Sequence, residues 1–415
     1  MSSSDEQAEG RSPGSGCAPR GADASPVHGS VAPGFEEVRS EFERNFTQRR
    51  ELGAACAIYH EGKKVADLWG GYRDAATREP WEEDTMVLVF STTKGIAAMV
   101  MAVAHARGLF ELDEPVASYW PQFGQAGKQR ITVRQLLAHE AGLSVVDEPL
   151  DLETLSDLDR LAEIIAGQKP SWPPGTRHGY HGLTLGFYQN ELIRRVDPQH
   201  RSLGTFLQEE IARPLGIELY IGLPPDVAPR RVAAIKAFRR RDMFLHLDTV
   251  PVRMALSFAW PWSLTRRTLS NPNMHGPSGF DTPACRAVEF ASANGICQAR
   301  AIAKAYGVFA TGGRELGITA GTMAALTAQP EAPPAGYRDA VMKVDVAYAF
   351  GFYKPMGRFL FGTSGTAFGA PGAGGSFGFA DPDVGLGYAY VMNRMGLHIF
   401  DDPREKALRD ACYRC

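Results

Sequence analysis

The stretch from Met86 to Ala104 constrains this chain more than any other. Met86 to Phe90 is an apolar run that reads as a buried strand, and Gly95 to Ala104 is a second that reads as a buried helix. Between them stand Ser91, Thr92, Thr93 and Lys94. A serine at a helix start with a lysine three residues on puts hydroxyl and amine on one face, a turn apart. The free N–H groups and the positive end of the helix dipole gather at that point and favour a developing negative charge. A lysine carried into an apolar interior has its charged form disfavoured. The pattern suits an activated serine. It also suits a Ser N-cap followed by a partly buried lysine, because Ser-x-x-Lys is short. Of the chain's lysines, only Lys94 has a serine three residues earlier.

Length and charge narrow the class. At 415 residues and 44% hydrophobic, the chain can bury a large core, as one domain or two closely joined parts. A net charge of -3 offers no basic field for nucleic acid or an acidic membrane. No apolar run is long enough to span a bilayer, and the N-terminus lacks the apolar core of a secretory signal. The six cysteines are scattered, which suits reduced thiols and a cytoplasmic location. Cys412 and Cys415 have the spacing of half a zinc knuckle, but no second pair matches them, so they read as incidental thiols. No metal or cofactor is expected, and the oligomeric state is open.

Along the chain, residues 1–32 are poor in apolar side chains and rich in Ser, Gly and Pro, and are expected to be a disordered tail. Phe35, Val38, Phe42 and Phe46 recur at helical spacing. Ala54 to Tyr59 and Lys64 to Trp69 flank Glu61-Gly62 as a β-hairpin. Pro115 after Asp113 and Glu114 marks a helix start. Thr132 with Gln135 forms a capping box for a helix from Val133 to His139, with Gly142 as its stop. Leu183 to Val196 reads as a helix. Residues 236–280 carry Phe238, Phe244, Phe258, Trp260 and Trp262 without periodicity, and read as a long insertion over the site. Gln298 to Phe309 is helical. Ala347 to Tyr353, Arg358 to Phe361, Ser376 to Ala380 and Leu386 to Met392 read as antiparallel strands, and Arg404 to Cys412 as a closing helix. The expected class is α+β: one antiparallel sheet formed from both chain ends, flanked by helices, with an inserted mainly helical region.

Several motifs in order resemble the serine β-lactamase-like superfamily, in its class C β-lactamase and family VIII carboxylesterase branch. They are Ser91-Thr92-Thr93-Lys94, the run Ile131 to Leu143, Trp172-Pro173-Pro174-Gly175 followed by Tyr180, and Ser292-Ala293-Asn294-Gly295. The resemblance covers nearly everything from residue 33 onward. It implies a catalytic domain over 33–415, with an α/β part at about 33–115 and 291–415 and a helical insertion at about 116–290. It further implies Ser91 as nucleophile, with Lys94 and Tyr180 as general base and acid. The family's Tyr-x-Asn occurs literally at Tyr188-Gln189-Asn190, but counting from the Pro-Gly turn at Gly175 lands on Tyr180.

The chain departs from the family at two motifs. Gly182 replaces the Asn after the Tyr, and Ala370-Pro371-Gly372 lacks the Lys or His of the third motif. Strong β-lactamase activity and recognition of a substrate carboxylate are therefore not expected. The backbone N–H groups of Ser91 and Ala373 are expected to hold the oxyanion, with Gly372 keeping the strand edge open. His181, beside Tyr180, Gly372, on the strand edge, and Trp260, as an acyl-binding wall, are the expected substrate contacts. The implied activity is hydrolysis of small carboxylic esters through an acyl-enzyme. A β-lactamase, an acyltransferase or a non-catalytic scaffold of the same fold are the alternatives. A neutral Lys94 near pH 7 requires a pKa lowered by about three, ~4 kcal/mol, and a Tyr180 phenolate requires a comparable drop aided by a nearby ammonium.

Other groups compete. Gly374-Gly375-Ser376-Phe377-Gly378 is a literal Gly-x-Ser-x-Gly, but strand rather than helix follows it. His178 and His181 lack a third ligand and read as loop histidines, and His139 as a helix-end structural residue.

Overall fold

The computed structural model describes residues 26–238 and 252–415. Phe244 and most of the expected tail lie outside them. Residues 27–31 of that tail form a strand instead.

The strands in chain order are β1 (Val27–Val31), β2 (Gly53–His60), β3 (Lys63–Gly71), β4 (Val87–Leu88), β5 (Leu219–Tyr220), β6 (Ile296–Cys297), β7 (Ala347–Ala349), β8 (Phe352–Lys354), β9 (Phe368–Pro371), β10 (Phe377–Asp381) and β11 (Leu386–Met392). The helices that shape the site and its supports are α1 (Glu36–Thr47), α2 (Thr92–Ala106), α3 (Val133–Leu137), α4 (Leu185–Val196), α5 (Val252–Ala259), α6 (Leu264–Leu269), α7 (Ala299–Ala310) and α8 (Pro403–Cys412). Eight strands make one sheet in the order β1-β3-β2-β11-β10-β9-β8-β7, every neighbouring pair antiparallel. A three-stranded sheet, β4-β6-β5, fixes the approach to Ser91. The expected class, one antiparallel sheet drawn from both chain ends, is the architecture observed.

The two faces of the large sheet follow from side-chain alternation. On β11, Ala389 and Val391 enter the core shared with α2 and α7. Tyr388, Tyr390 and Met392 enter the opposite core, with Val38 and Phe42 of α1 and Leu408 and Ala411 of α8. Burying a side chain of this size stabilises by roughly 1.5–3 kcal/mol. The α7 backbone lies directly on the strand: a Cβ on Gly387 would meet the Gly307 nitrogen at 2.1 Å.

Local chemistry explains where elements begin and end. At the start of α3 the Thr132 hydroxyl accepts from Gln135 N–H, and the Gln135 amide oxygen accepts from Thr132 N–H, both at 3.2 Å. The helix stops at Leu137, before the expected His139, whose φ of 60° is left-handed. The single strand expected over Ala347 to Tyr353 is a hairpin. Phe350 and Gly351, at φ 55° and 89°, turn the chain between β7 and β8. Arg358 to Phe361 forms no strand. Phe359 and Phe361 still alternate inward, onto Phe377, while Leu360 stands outside. An aromatic cluster satisfies that period of two in place of a ladder. The described part of the insertion contains α5 and α6, two short helices of eight and six residues.

Candidate active site

Strand β4 runs into α2 through a strained turn. Phe90 sits at φ 46°, and Ser91 at φ -67°, ψ -9° heads the helix without using its side chain as a cap. The turn is fixed from both sides. Val89 N–H donates to Gly295 O at 2.9 Å, and Gly295 N–H donates to Thr93 Oγ1 at 2.8 Å. Ser376 Oγ donates to Val89 O at 2.9 Å and lies 3.1 Å from Thr92 Oγ1. Ser376 is therefore a buried brace in front of β10, with its hydroxyl spent on the Ser91 turn.

Lys94, one turn into α2, is fully buried. Its Nζ donates to Gly182 O at 2.6 Å and to Ser292 O at 2.9 Å, and stands 4.8 Å from the centre of the Tyr180 ring. Burial alone lowers its pKa to about 7, a difference on the order of 5 kcal/mol between the protonation states. The Gly182 carbonyl thus does the steadying that a side chain at this position would do. Leu269 of α6 occupies the space beside it: a Cβ on Gly182 would meet Leu269 Cδ2 at 2.7 Å, so a side chain here requires the leucine to move.

Tyr180 Oη donates to Ser91 Oγ at 2.8 Å. Burial pushes the phenol up to about 12, with the Ser91 hydrogen bond pulling the other way. Burial thus opposes the phenolate form of Tyr180 and favours the neutral form of Lys94. Tyr188 lies inside α4, its ring against Trp120 and Phe123.

Asp339 was invisible in the sequence and holds the Tyr180 backbone. Its Oδ2 accepts from Tyr180 N–H at 2.8 Å and from Tyr348 Oη at 3.1 Å, and its Oδ1 accepts from Val341 and Met342 N–H at 2.7 Å each. Burial raises this carboxyl's pKa and the backbone donors lower it. Every one of the four partners brings its own hydrogen, so the carboxylate is the form that fits.

The turn between β9 and β10 carries Gly372 and Ala373. Gly372 N–H donates to Ser376 O at 2.7 Å. A Cβ on Gly372 would lie 2.2 Å from Ser376 Oγ and 2.4 Å from Val89 O, so only glycine fits between the two turns. Among the described residues, neither Ser91 N–H nor Ala373 N–H finds an acceptor. Arg404 Nη2 of α8 donates to the adjacent Gly374 O at 2.8 Å.

Two expected substrate contacts are corrected. His181 is fully buried; its Nε2 accepts from Leu143 N–H at 2.9 Å, and its Nδ1 donates to Gly179 O at 2.7 Å. It shapes the loop behind Tyr180, with both ring nitrogens occupied. His139 Nδ1 accepts from His181 N–H at 2.9 Å, and His178 Nδ1 bonds Ala138 O at 3.1 Å, so these rings also serve the backbone. Trp260 stands in solvent beyond the end of α5, and the wall beside Gly182 comes from Leu269 and Thr268 of α6.

The chain is similar to known proteins over most of its length. The Beta-lactamase family model matches residues 39–413. "Esterase/beta-lactamase LipL" of Mycobacterium tuberculosis is 34% identical over 374 residues, covering 89% of this chain and 83% of its own. The crystal structure of a family VIII carboxylesterase superposes with a TM-score of 0.82 at 37% identity, over 94% of this chain and all of the other. A penicillin-binding protein homologue from Caulobacter crescentus superposes with a TM-score of 0.79, also at 37% identity, over 94% and 99% of the two chains. A hydroxyl, a buried amine and a phenol meeting at one helix tip are thus found in a chain that belongs to the Beta-lactamase family, as a serine hydrolase of that fold.

Proposed function

We propose that this enzyme hydrolyses small carboxylic esters through an acyl-enzyme on Ser91. The observation that carries the reading is the 2.8 Å contact of Tyr180 Oη with Ser91 Oγ, at the tip of a helix whose buried Lys94 titrates near pH 7. Ser91 Oγ attacks the ester carbonyl carbon while its proton passes to the Tyr180–Lys94 pair, with neutral Lys94 as the final acceptor. The N–H groups of Ser91 and Ala373 take the oxyanion, each contributing on the order of 10²–10³ in rate. On collapse of the tetrahedral intermediate the ester C–O bond breaks, and the same pair returns the proton to the leaving alkoxide. Water, deprotonated by the pair, then attacks the acyl carbon; the Ser91 Oγ–C bond breaks, the pair returns the proton to Oγ, and the acid is released.

Two features support esters over amides or β-lactams. The position where the family carries an amide side chain is Gly182, and its space is filled by Leu269. The strand-edge cation of the family is absent, with Ala370 in its place. Ser91→Ala should lower turnover of p-nitrophenyl acetate by more than about 10³-fold. Steady-state hydrolysis checks this, and retained activity in that variant sinks the mechanism.

A further inference from the structure

The insertion is apolar on two sides. Inward, Met254 and Leu264 pack against the aromatic cluster that holds Tyr180. Outward, Val252, Leu256, Trp260 and Trp262 are 57%, 67%, 64% and 80% exposed. Val252 and Leu256 stand one helix turn apart on α5 and Trp260 continues the spacing, so they form one stripe. Of the six large hydrophobic side chains that stand exposed among the described residues, five lie within 252–262. Exposed apolar residues scattered singly are ordinary; a contiguous stripe marks a contact surface.

Within the segment that carries the stripe, the charged side chains have one sign. Residues 252–280 contain Arg253, Arg266 and Arg267 and no Asp or Glu, an excess hidden by the whole-chain charge of -3. Arg267 pairs with Asp147 of a neighbouring loop. Arg253 and Arg266 are exposed, and neither has a carboxylate partner among the described residues. Indole rings beside an aliphatic stripe, flanked by exposed guanidinium groups, have the composition of a helix that lies in a bilayer's headgroup boundary.

We propose that α5 and the Trp260–Trp262 turn dock this protein on an anionic lipid surface. The aliphatic and indole side chains enter the headgroup boundary, and Arg253 and Arg266 meet lipid phosphates. The inference stands on this surface alone and does not require the ester-hydrolysis reading.

The test mixes the full chain with vesicles of phosphatidylcholine, with and without phosphatidylglycerol. The protein should co-sediment with the anionic vesicles, its tryptophan emission should shift to the blue, and added salt should weaken the binding. Leu256→Ser/Trp262→Ser should weaken vesicle binding by about tenfold or more while hydrolysis of soluble p-nitrophenyl acetate is unchanged. Arg253→Glu/Arg266→Glu should lose binding to anionic vesicles in the same way. Absence of co-sedimentation overturns the proposal, as does equal binding by both double variants. Acrylamide quenching without vesicles that is the same for the full chain and for Trp260→Phe/Trp262→Phe also overturns it, because the two exposed indoles would then be covered.

Discussion

Burial moves the two titrating partners of Ser91 in directions with different uses. It brings Lys94 down to about 7, which makes a neutral amine available near neutrality. It pushes Tyr180 up to about 12, which favours the protonated phenol that the proposed mechanism uses as a carrier between Ser91 and the amine. The neutral amine is present above about 7 and is lost as pH falls through that value, so the acid limb of the rate profile belongs to Lys94. With p-nitrophenyl acetate, kcat/KM should fall about tenfold for each pH unit below that point and level off above it; a profile flat across neutrality would contradict the assignment. Ser91 and Lys94 were legible because helical spacing is local. Tyr180 was legible by counting from the Gly175 turn, once the family resemblance was in hand. Asp339 was not, because it lies 159 residues from Tyr180 and no nearby pattern announces a carboxylate whose donors come from elsewhere. His181 and Trp260 were misplaced for a related reason. Adjacency in sequence gives a residue's neighbourhood but not the direction of its side chain.

At the scale of elements, the site is two turns pressed together. The β4–α2 turn presents Ser91, the β9–β10 turn presents Ala373, and Ser376 Oγ joins them through Val89 O and Thr92 Oγ1. Gly372 is the point of closest approach. Gly372→Ala should cost about 1–3 kcal/mol in denaturant unfolding, because its methyl would have to displace Ser376 and the Val89 carbonyl. The same substitution should lower kcat by moving Ala373 N–H; unaltered stability and kcat would show that the turns are not coupled in this way. Elements with their own periodicity, such as α2, α4 and β11, were legible. The Phe350-Gly351 turn was overlooked although a residue-Gly pair between short apolar runs is its signal. Strand β9 was missed because its Gly369 and Pro371 lower strand propensity, and its ladder with β10 overrides them.

For the whole molecule, the central strands β2 and β11 come from opposite ends of the chain and pair over their full length. That architecture was legible from apolar strands at both ends with helices between. β1 was not, since Val27 to Val31 contains only two apolar side chains and pairs at the sheet's edge. The C-terminal helix ties the molecule to its site through Arg404, which meets Glu51 at 3.0 Å and Asp402 and the Gly374 carbonyl at 2.8 Å. Arg404→Met leaves two buried carboxylates unpaired and should destabilise by about 3–5 kcal/mol, read as a lower urea midpoint with loss of activity and of near-ultraviolet dichroism coinciding. A change smaller than about 1 kcal/mol would show this network to be incidental. The most direct test of the central claim is the site of acylation. The enzyme, quenched with acid during turnover of a short-chain p-nitrophenyl ester and digested, should carry the acyl mass on the peptide containing Ser91 and nowhere else. An acyl group on Ser376, or turnover by Ser91→Ala with no adduct at residue 91, would contradict the account.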